Sequence, residues 1–123
     1  MASSLEIQQK YRSNSPRFSM YQTLYQAKKR AEVTIDINYL MDLFEKQKGL
    51  CALSGVKMTW SKGKVLPTSI SIDRIDNSKG YVPGNVRLLC VVVNAFKSTM
   101  TDDQLYDFAT TLVGTMSKNR NLN

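Results

Sequence analysis

Residues 68–100 constrain the fold of this chain more than any other segment. From residue 68 to residue 73 polar and apolar side chains alternate, as they do in a strand that buries one face. Ile70 and Ile72 are the apolar members of this alternation, and we expect them to face a hydrophobic core. The pattern therefore predicts a half-buried strand that ends in an acidic side chain, Asp73.

Two further patterns follow this strand. Residues 77–85 are rich in Asn, Ser, Gly and Pro, which adopt the backbone angles of turns. Residues 86–93 are mostly β-branched or apolar, so a second strand is expected to begin there. The chain is expected to become helical near residues 91–100. The segment thus predicts a strand, an exposed loop, a second strand and a helix.

Two helices are predicted before this segment. Pro16 suits the first turn of a helix, and apolar residues follow it at steps of three and four. These residues are Phe18, Tyr21, Leu24 and Tyr25. Asp36 can cap a second helix over residues 37–48, which Gly49 would end in a left-handed conformation. Its predicted buried face consists of Leu40, Met41, Leu43 and Phe44. Both apolar faces are predicted to belong to the core.

A short hairpin and a last helix complete the pattern. Residues 50–58 are predicted to form a hairpin that turns at a Ser-Gly pair. Thr101 and Gln104 are spaced as a capping box, and an apolar face follows from Leu105 to Met116. We expect this face to cover residues 68–100, the central segment, and to pack them against the N-terminal helices.

Length and composition indicate one domain. A chain of 123 residues with 42% apolar content has room for one modest core. It contains no apolar run long enough to span a bilayer, and its N-terminus lacks the basic and apolar regions of a signal peptide. We expect a soluble, cytoplasmic α+β protein with a single domain over residues 16–117. A flexible basic arm over residues 1–15 would precede it, and a frayed tail over residues 118–123 would follow it.

Positive charge is concentrated near the N-terminus. The formal net charge is +7, and residues 1–30 carry six basic side chains against one acidic side chain. Phosphates of DNA bind such side chains by releasing counterions, although a solvated surface has the same composition. Lys28, Lys29 and Arg30 form a candidate phosphate-binding cluster. The structural alternative is that they stabilise the C-terminal end of the first helix through its dipole.

Several residues of the central segment could belong to a catalytic or metal-binding site. They are Asp73-Arg74-Ile75, Gly80, Gly84, Asn85-Val86, Leu89-Cys90, Asn94 and Lys97. This order resembles the HNH endonucleases of the ββα-metal, or His-Me finger, superfamily. The resemblance covers about half of the chain and implies a ββα-metal core with flanking helices. It also implies a phage-type protein that acts on double-stranded DNA, in the cytoplasm of a bacterial host.

The resemblance assigns roles to individual residues. Asp73 would supply a carboxylate and Asn94 a side-chain carbonyl to one divalent ion, Mg²⁺ or Mn²⁺. Asn85 would hold the loop by hydrogen bonds to the backbone, and Lys97 would contact phosphate. Two further basic side chains of the segment, Lys79 and Arg87, are candidate contacts to DNA.

One departure from the family pattern concerns catalysis. Arg74 occupies the position of the family's first His, which is normally the general base, and this chain contains no histidine. A guanidinium group stays protonated and cannot accept the proton of water. Asp76 is the nearest carboxylate that could replace the base, and Arg74 could instead bind the scissile phosphate.

A second departure concerns structural zinc. Many members of the family hold zinc with two Cys-x-x-Cys pairs, of which this chain keeps only Cys51 and Cys90. Two sulfurs without histidine do not close a tetrahedral zinc site. We therefore expect no structural zinc and predict that apolar side chains pack around the two thiols instead. These side chains are Leu53, Val56, Val92 and Val93.

Two functions follow from these observations. The first is a metal-dependent DNA endonuclease or nickase that hydrolyses phosphodiester bonds and has a substituted general-base position. The second is a catalytically inactive module of the same fold that binds nucleic acid or a protein partner. Asp73, Asn94 and Lys97 favour the first function, whereas the absence of histidine favours the second.

Overall fold

A computed structural model of the chain describes residues 15–60 and 64–121. These residues contain a two-stranded antiparallel sheet and four helices. The elements are α1 (Pro16–Lys28), α2 (Ile37–Lys46), β1 (Ile70–Arg74), β2 (Val86–Cys90), α3 (Val91–Lys97) and α4 (Asp102–Asn121). Apart from Ser15, the predicted arm over residues 1–15 lies outside the described residues. No helix in the described residues is both long enough and apolar enough to cross a membrane.

The central segment folds as its sequence predicts. In the sheet Ile72 pairs with Leu88 and Asp73 pairs with Arg87. Ile70 and Ile72 are buried, as their alternation predicts. Helix α3 directly follows β2 and packs against both strands, ending at Lys97 rather than near residue 100. Strand, loop, strand and helix are therefore confirmed.

The predicted cap of α2 is present and α1 starts at Pro16 as predicted, with Ser15 as a cap that was not predicted; the buried face of α1 differs from the prediction. Ser15 Oγ accepts a hydrogen bond from the backbone N–H of Arg17 at 3.2 Å, and Asp36 Oδ1 accepts one from that of Tyr39 at 2.9 Å. In α1 the buried residues are Met20, Leu24 and Ala27. Phe18, Tyr21 and Tyr25 are exposed, so the predicted stripe was wrong apart from Leu24. Met20, Leu24 and Ala27 recur at steps of four and three, so the buried face has helical spacing but lies on a neighbouring side of the helix.

Helix α2 agrees more closely with its prediction. Leu40 is buried, and Met41, Leu43 and Phe44 pack against the core. The helix ends at Lys46, two residues early, and Gly49 takes the expected left-handed conformation with φ of 71°.

The residues around the thiols do not pack as predicted. The backbone N–H of Cys51 donates to Val56 O at 2.8 Å, which confirms the hairpin, and both cysteines are buried as free thiols. Leu53, Val56 and Val92 are exposed, so they do not cover the thiols; only Val93 packs against the core. Burial and the neighbouring Cys51 raise the pKa of Cys90. Burial also tends to raise the pKa of Cys51, but hydrogen bonds outweigh this effect and lower the pKa. The hydrogen bond with the Ser54 side chain is the largest of them.

Helix α4 is longer and more exposed than the sequence predicts. The capping box is present, with Thr101 N–H donating to Gln104 Oε1 at 2.9 Å and Gln104 N–H to Thr101 Oγ1 at 3.2 Å. The helix continues to Asn121 rather than fraying from residue 118, and none of its residues is buried. Its apolar face therefore does not cover the central segment. The sheet of this segment is covered instead by α1 and α3.

Candidate functional site

Predicted site residues from the end of α1 and from the central segment line one cleft. It has a volume of about 350 Å³ and lies between β1, α3 and the residues that follow α1. Its lining includes Arg30, Asp73, Arg74 and Asn94. A larger open cavity of about 790 Å³ adjoins it between α1 and β1 and shares Arg30 with it. The fold thus brings an acid, an amide and two arginines to one place.

Asp73 is held in a buried ionic network. Its side chain is 4% exposed, and its oxygens accept hydrogen bonds from Lys97 Nζ at 3.1 and 3.2 Å and from Arg87 Nε at 2.9 Å. Arg87 also donates to both carboxylate oxygens of Asp102 at 2.6 and 2.8 Å. Two cations therefore neutralise Asp73, and the second of them ties the start of α4 to the sheet.

The ion pair between Arg87 and Asp102 shifts the pKa values of both groups. Arg87 lowers the pKa of Asp102, and Asp102 is the main cause that raises the pKa of Arg87. Both groups are therefore charged at neutral pH.

This network engages two of the predicted DNA contacts, Lys97 and Arg87, so the geometry disfavours a role that stays a prediction. Lys97 has no exposed surface, and its ammonium group also donates to Arg74 O at 3.3 Å, so it cannot reach a phosphate from this position. Arg87 uses one donor of each of its three nitrogens on Asp73 and Asp102, and its side chain is 13% exposed. A buried cation needs a carboxylate close by, and Asp73 is the carboxylate that the antiparallel register and α3 place there.

Asn94 lines the cleft, and two hydrogen bonds hold its amide group. The amide nitrogen donates to Ser71 Oγ at 2.7 Å and to Ile72 O at 3.2 Å, which fixes the orientation of the amide. These two bonds also join α3 to β1. Asn94 is thus a positioned oxygen donor, as a metal ligand would need to be.

The arrangement of the side chains disfavours a divalent ion at Asp73. Asn94 has the right type of donor, but the carboxylate oxygens of Asp73 already accept from Lys97 and Arg87. A divalent ion at Asp73 would be repelled by both of these cations. Within residues 15–60 and 64–121, no group of three or more Cys, Asp or Glu side chains is placed to hold a metal.

Arg74 is anchored at the cleft by backbone and ring contacts. Its Nη1 donates to Asn77 O at 3.2 Å and to Lys79 O at 3.3 Å, and its guanidinium lies 5.3 Å from the ring centroid of Tyr81. Arg30 approaches the same cleft from the end of α1 and is exposed. Neither group can act as a base, but both can bind an anion.

Asn85 has the predicted role of holding the loop. Its Nδ2 donates to Asp76 O at 3.0 Å and to Gly80 O at 2.9 Å, and its Oδ1 accepts from Asp76 N–H at 2.8 Å. The Asp76 carboxylate lies outside the cleft lining and accepts from Ser78 N–H and Oγ, which lower its pKa. A carboxylate with a lowered pKa is a weaker base, so this position does not favour Asp76 as the group that activates water.

The remaining candidate DNA contacts lie at the surface. Lys28 and Lys29 are exposed at the end of α1, where the ammonium group of Lys29 lies 4.6 Å from the ring centroid of Tyr25. Lys79 is exposed in the loop and does not line the cleft. Their contact with DNA stays a prediction.

Sequence reasoning missed one clamp on β2. Gln47 Nε2 donates to Leu50 O at 2.8 Å and to Leu88 O at 2.9 Å, while its Oε1 accepts from Leu88 N–H at 3.0 Å. Gln47 follows the last residue of α2 and looks like an ordinary exposed helix end in the sequence. No local pattern indicates a partner 41 residues away.

Comparisons with known proteins support the fold. No protein-family model matches the chain. An uncharacterized 29.0 kDa protein from the dda-modA intergenic region of Enterobacteria phage T4 is 29% identical over 82 residues. The aligned region is 66% of this chain and 31% of the phage protein, so this chain spans about a third of that relative's length.

A solved structure matches most of the chain. The rare-cutting HNH restriction endonuclease PacI superposes with a TM-score of 0.60 over 87% of this chain and 82% of its own, at 18% sequence identity. The sheet and α3 form the two strands and the helix that the central segment predicts. The protein therefore has a small α+β fold similar to that of this HNH endonuclease.

Proposed function

We propose that this protein binds the phosphate backbone of DNA in the cleft between β1, α3 and the residues after α1. The observation that carries the proposal is that Arg30 and Arg74 line one cleft whose acidic residue, Asp73, is already neutralised by Lys97 and Arg87. The cleft is therefore cationic and suits a phosphate group.

The geometry of Arg74 supports this role. Its Nη1 is anchored by two backbone carbonyls, which leaves Nε and Nη2 to face an anion. The neighbouring Tyr81 is buried and restrains the guanidinium, so little side-chain entropy is lost on binding. Arg30 would bind the same or the next phosphate, and the adjoining cavity along α1 would accommodate the continuing strand.

The test is binding of a fluorescent double-stranded oligonucleotide, measured by anisotropy at several salt concentrations. We expect Arg30→Ala and Arg74→Ala each to weaken binding by about tenfold and to reduce the salt slope by about one. Lys46→Ala, an exposed cation at the end of α2 that lines neither cavity, is the matched control. Equal binding by all four proteins would exclude the cleft as the phosphate site.

A DNA endonuclease is the second candidate function. It is favoured by the HNH fold and by the meeting of Asp73, Arg74 and Asn94 in one cleft. It ranks second because Asp73 is engaged by two cations and the described residues that line the cleft include no other carboxylate. Resident Mg²⁺ or Mn²⁺ stays an expectation from the family resemblance.

Supercoiled plasmid distinguishes the two functions. Nicking with Mg²⁺ or Mn²⁺ that EDTA stops, and that Asn94→Ala abolishes while DNA binding persists, would establish the endonuclease. Binding without nicking under all these conditions would establish the inactive module. Asn94→Ala is preferred to Asp73→Ala because removal of Asp73 would leave Lys97 buried and unpaired.

A further inference from the structure

The outward face of α1 carries two tyrosines that the core does not use. Tyr21 and Tyr25 are one helical turn apart and are 51% and 61% exposed. The buried face of the helix consists of Met20, Leu24 and Ala27. Both tyrosines line the cavity of about 790 Å³ between α1 and β1. Single exposed apolar side chains are common on protein surfaces, but two aromatic rings on one cavity form a shared surface.

The surroundings of the two rings are cationic. The guanidinium of Arg17 lies 5.9 Å from the ring centroid of Tyr21, and the ammonium group of Lys29 lies 4.6 Å from that of Tyr25. Residues 15–31 contain no acidic side chain, and none of the described residues that line the cavity is acidic. Aromatic rings flanked by cations suit a polyanion that also carries planar aromatic groups, and nucleic acid has both properties.

The cavity continues the cleft that we propose to bind phosphate. Arg30 and residues of β1 line both. A strand whose phosphate is bound by Arg30 can therefore continue along α1 toward Tyr25 and then Tyr21. Gln22 and Gln26 line the same cavity and are exposed. Their amide groups can donate to and accept from the edges of bases.

The spacing of the two rings favours unpaired over paired bases. Four residues of an α-helix rise about 6 Å, whereas successive nucleotides of a duplex strand rise about 3.4 Å. Adjacent bases of a regular duplex therefore do not match both rings, and their faces are covered by neighbouring base pairs. Bases of an unpaired strand have open faces and adjustable spacing.

We propose that Tyr21 and Tyr25 stack on unpaired bases of DNA, so that the preferred substrate is DNA with an unpaired segment. This inference rests on the proposed function of the cleft, which would bind phosphates of the same strand through Arg30 and Arg74. The two parts differ in physical character, because binding of phosphate depends on salt and stacking of bases depends on it much less.

The test compares two fluorescent DNA duplexes of equal length, one fully paired and one with a central bubble of about four thymine–thymine mismatches. Anisotropy at several salt concentrations measures their binding to the 123-residue chain. We expect the bubble duplex to bind about tenfold more tightly, because only its central bases can stack on the rings. Tyr21→Ala and Tyr25→Ala should each remove most of this preference and leave the salt slope unchanged, whereas Arg30→Ala reduces that slope.

Two variants serve as matched controls. Tyr25→Phe keeps the aromatic ring and should retain the preference for the bubble duplex. Tyr106→Ala removes a tyrosine of α4 that is 72% exposed and lines neither cavity, and it should bind both duplexes as the wild type does.

The outcomes separate the stacking from the phosphate cleft. Equal binding of the two duplexes by the wild type, or an unchanged preference in both tyrosine-to-alanine variants, would overturn the stacking. Weakened binding by Arg30→Ala and Arg74→Ala would still support the cleft in that case. A preference that Tyr25→Phe or Tyr106→Ala loses as fully as Tyr25→Ala would also overturn the stacking. A preference that depends on the tyrosines but not on the arginines would support the stacking and exclude the cleft.

Discussion

At the scale of single residues, Lys97 shows how one contact changes a functional assignment. In the sequence it is a cation on a helix beside a candidate site, and in the structure it is a buried partner of Asp73. Removal of one member of a buried ion pair leaves the other charge uncompensated. Lys97 and Asp73 therefore contribute mainly to stability in this arrangement.

We predict that Lys97→Met lowers the free energy of unfolding by about 3–5 kcal/mol, because Asp73 would keep only one of its two cations in a buried site. Guanidinium chloride unfolding measures the change. Lys79→Met, in the exposed loop, is the matched control and should change stability by less than about 0.5 kcal/mol. A loss below about 1 kcal/mol for Lys97→Met would mean that the pair is not buried in solution.

At the scale of elements, the loop between β1 and β2 is fixed by its docking on the segment between α1 and α2. The backbone N–H of Tyr81 donates to Glu32 O at 2.8 Å, and the N–H of Thr34 donates to Tyr81 O at 3.0 Å. This approach is so close that a Cβ atom at Gly80 would lie 2.6 Å from Glu32 O. Position 80 therefore requires glycine because of a neighbouring backbone.

Two glycine-to-alanine variants test this requirement. Gly80→Ala should destabilise the protein by about 1–3 kcal/mol, because the backbone of Glu32 must move. Gly114→Ala, in α4 with no neighbour within 4 Å of the added Cβ, should stabilise the helix by up to about 1 kcal/mol. Thermal unfolding measures both, and opposite signs are expected. A neutral Gly80→Ala variant would show that the loop is not docked on residues 32–34.

At the scale of the whole molecule, the sequence predicts the features that depend on local pattern. It does not predict the features that depend on contacts between side chains far apart in the chain. Alternation at Ile70 and Ile72 predicts the buried strand, and the family resemblance implies the role of Asn85 in the loop. The ionic network requires Asp73 and Arg87 to face each other across the sheet, which only the register determines. The exposure of α4 depends on where Asp102 is anchored, and no periodicity contains that information.

The Arg87–Asp102 pair joins α4 to the sheet and makes this connection sensitive to pH. Arg87 lowers the pKa of Asp102 in the folded state below its ordinary value near 4. The stabilisation is therefore complete at pH values above the unfolded pKa and is lost as the pH falls through the folded pKa. Because Asp102 is about half exposed, the contribution is under about 1 kcal/mol.

We therefore expect the free energy of unfolding to fall more steeply below about pH 4 for the wild-type protein than for Asp102→Asn, which lacks this titrating group. Urea unfolding at a series of pH values measures the two slopes. Asp103→Asn, the neighbouring exposed acid, is the control and should follow the wild type. Identical slopes for the wild type and Asp102→Asn would show that Arg87 does not hold Asp102 in solution. The start of α4 would then be attached to the body chiefly through the contact between Phe96 and Phe108.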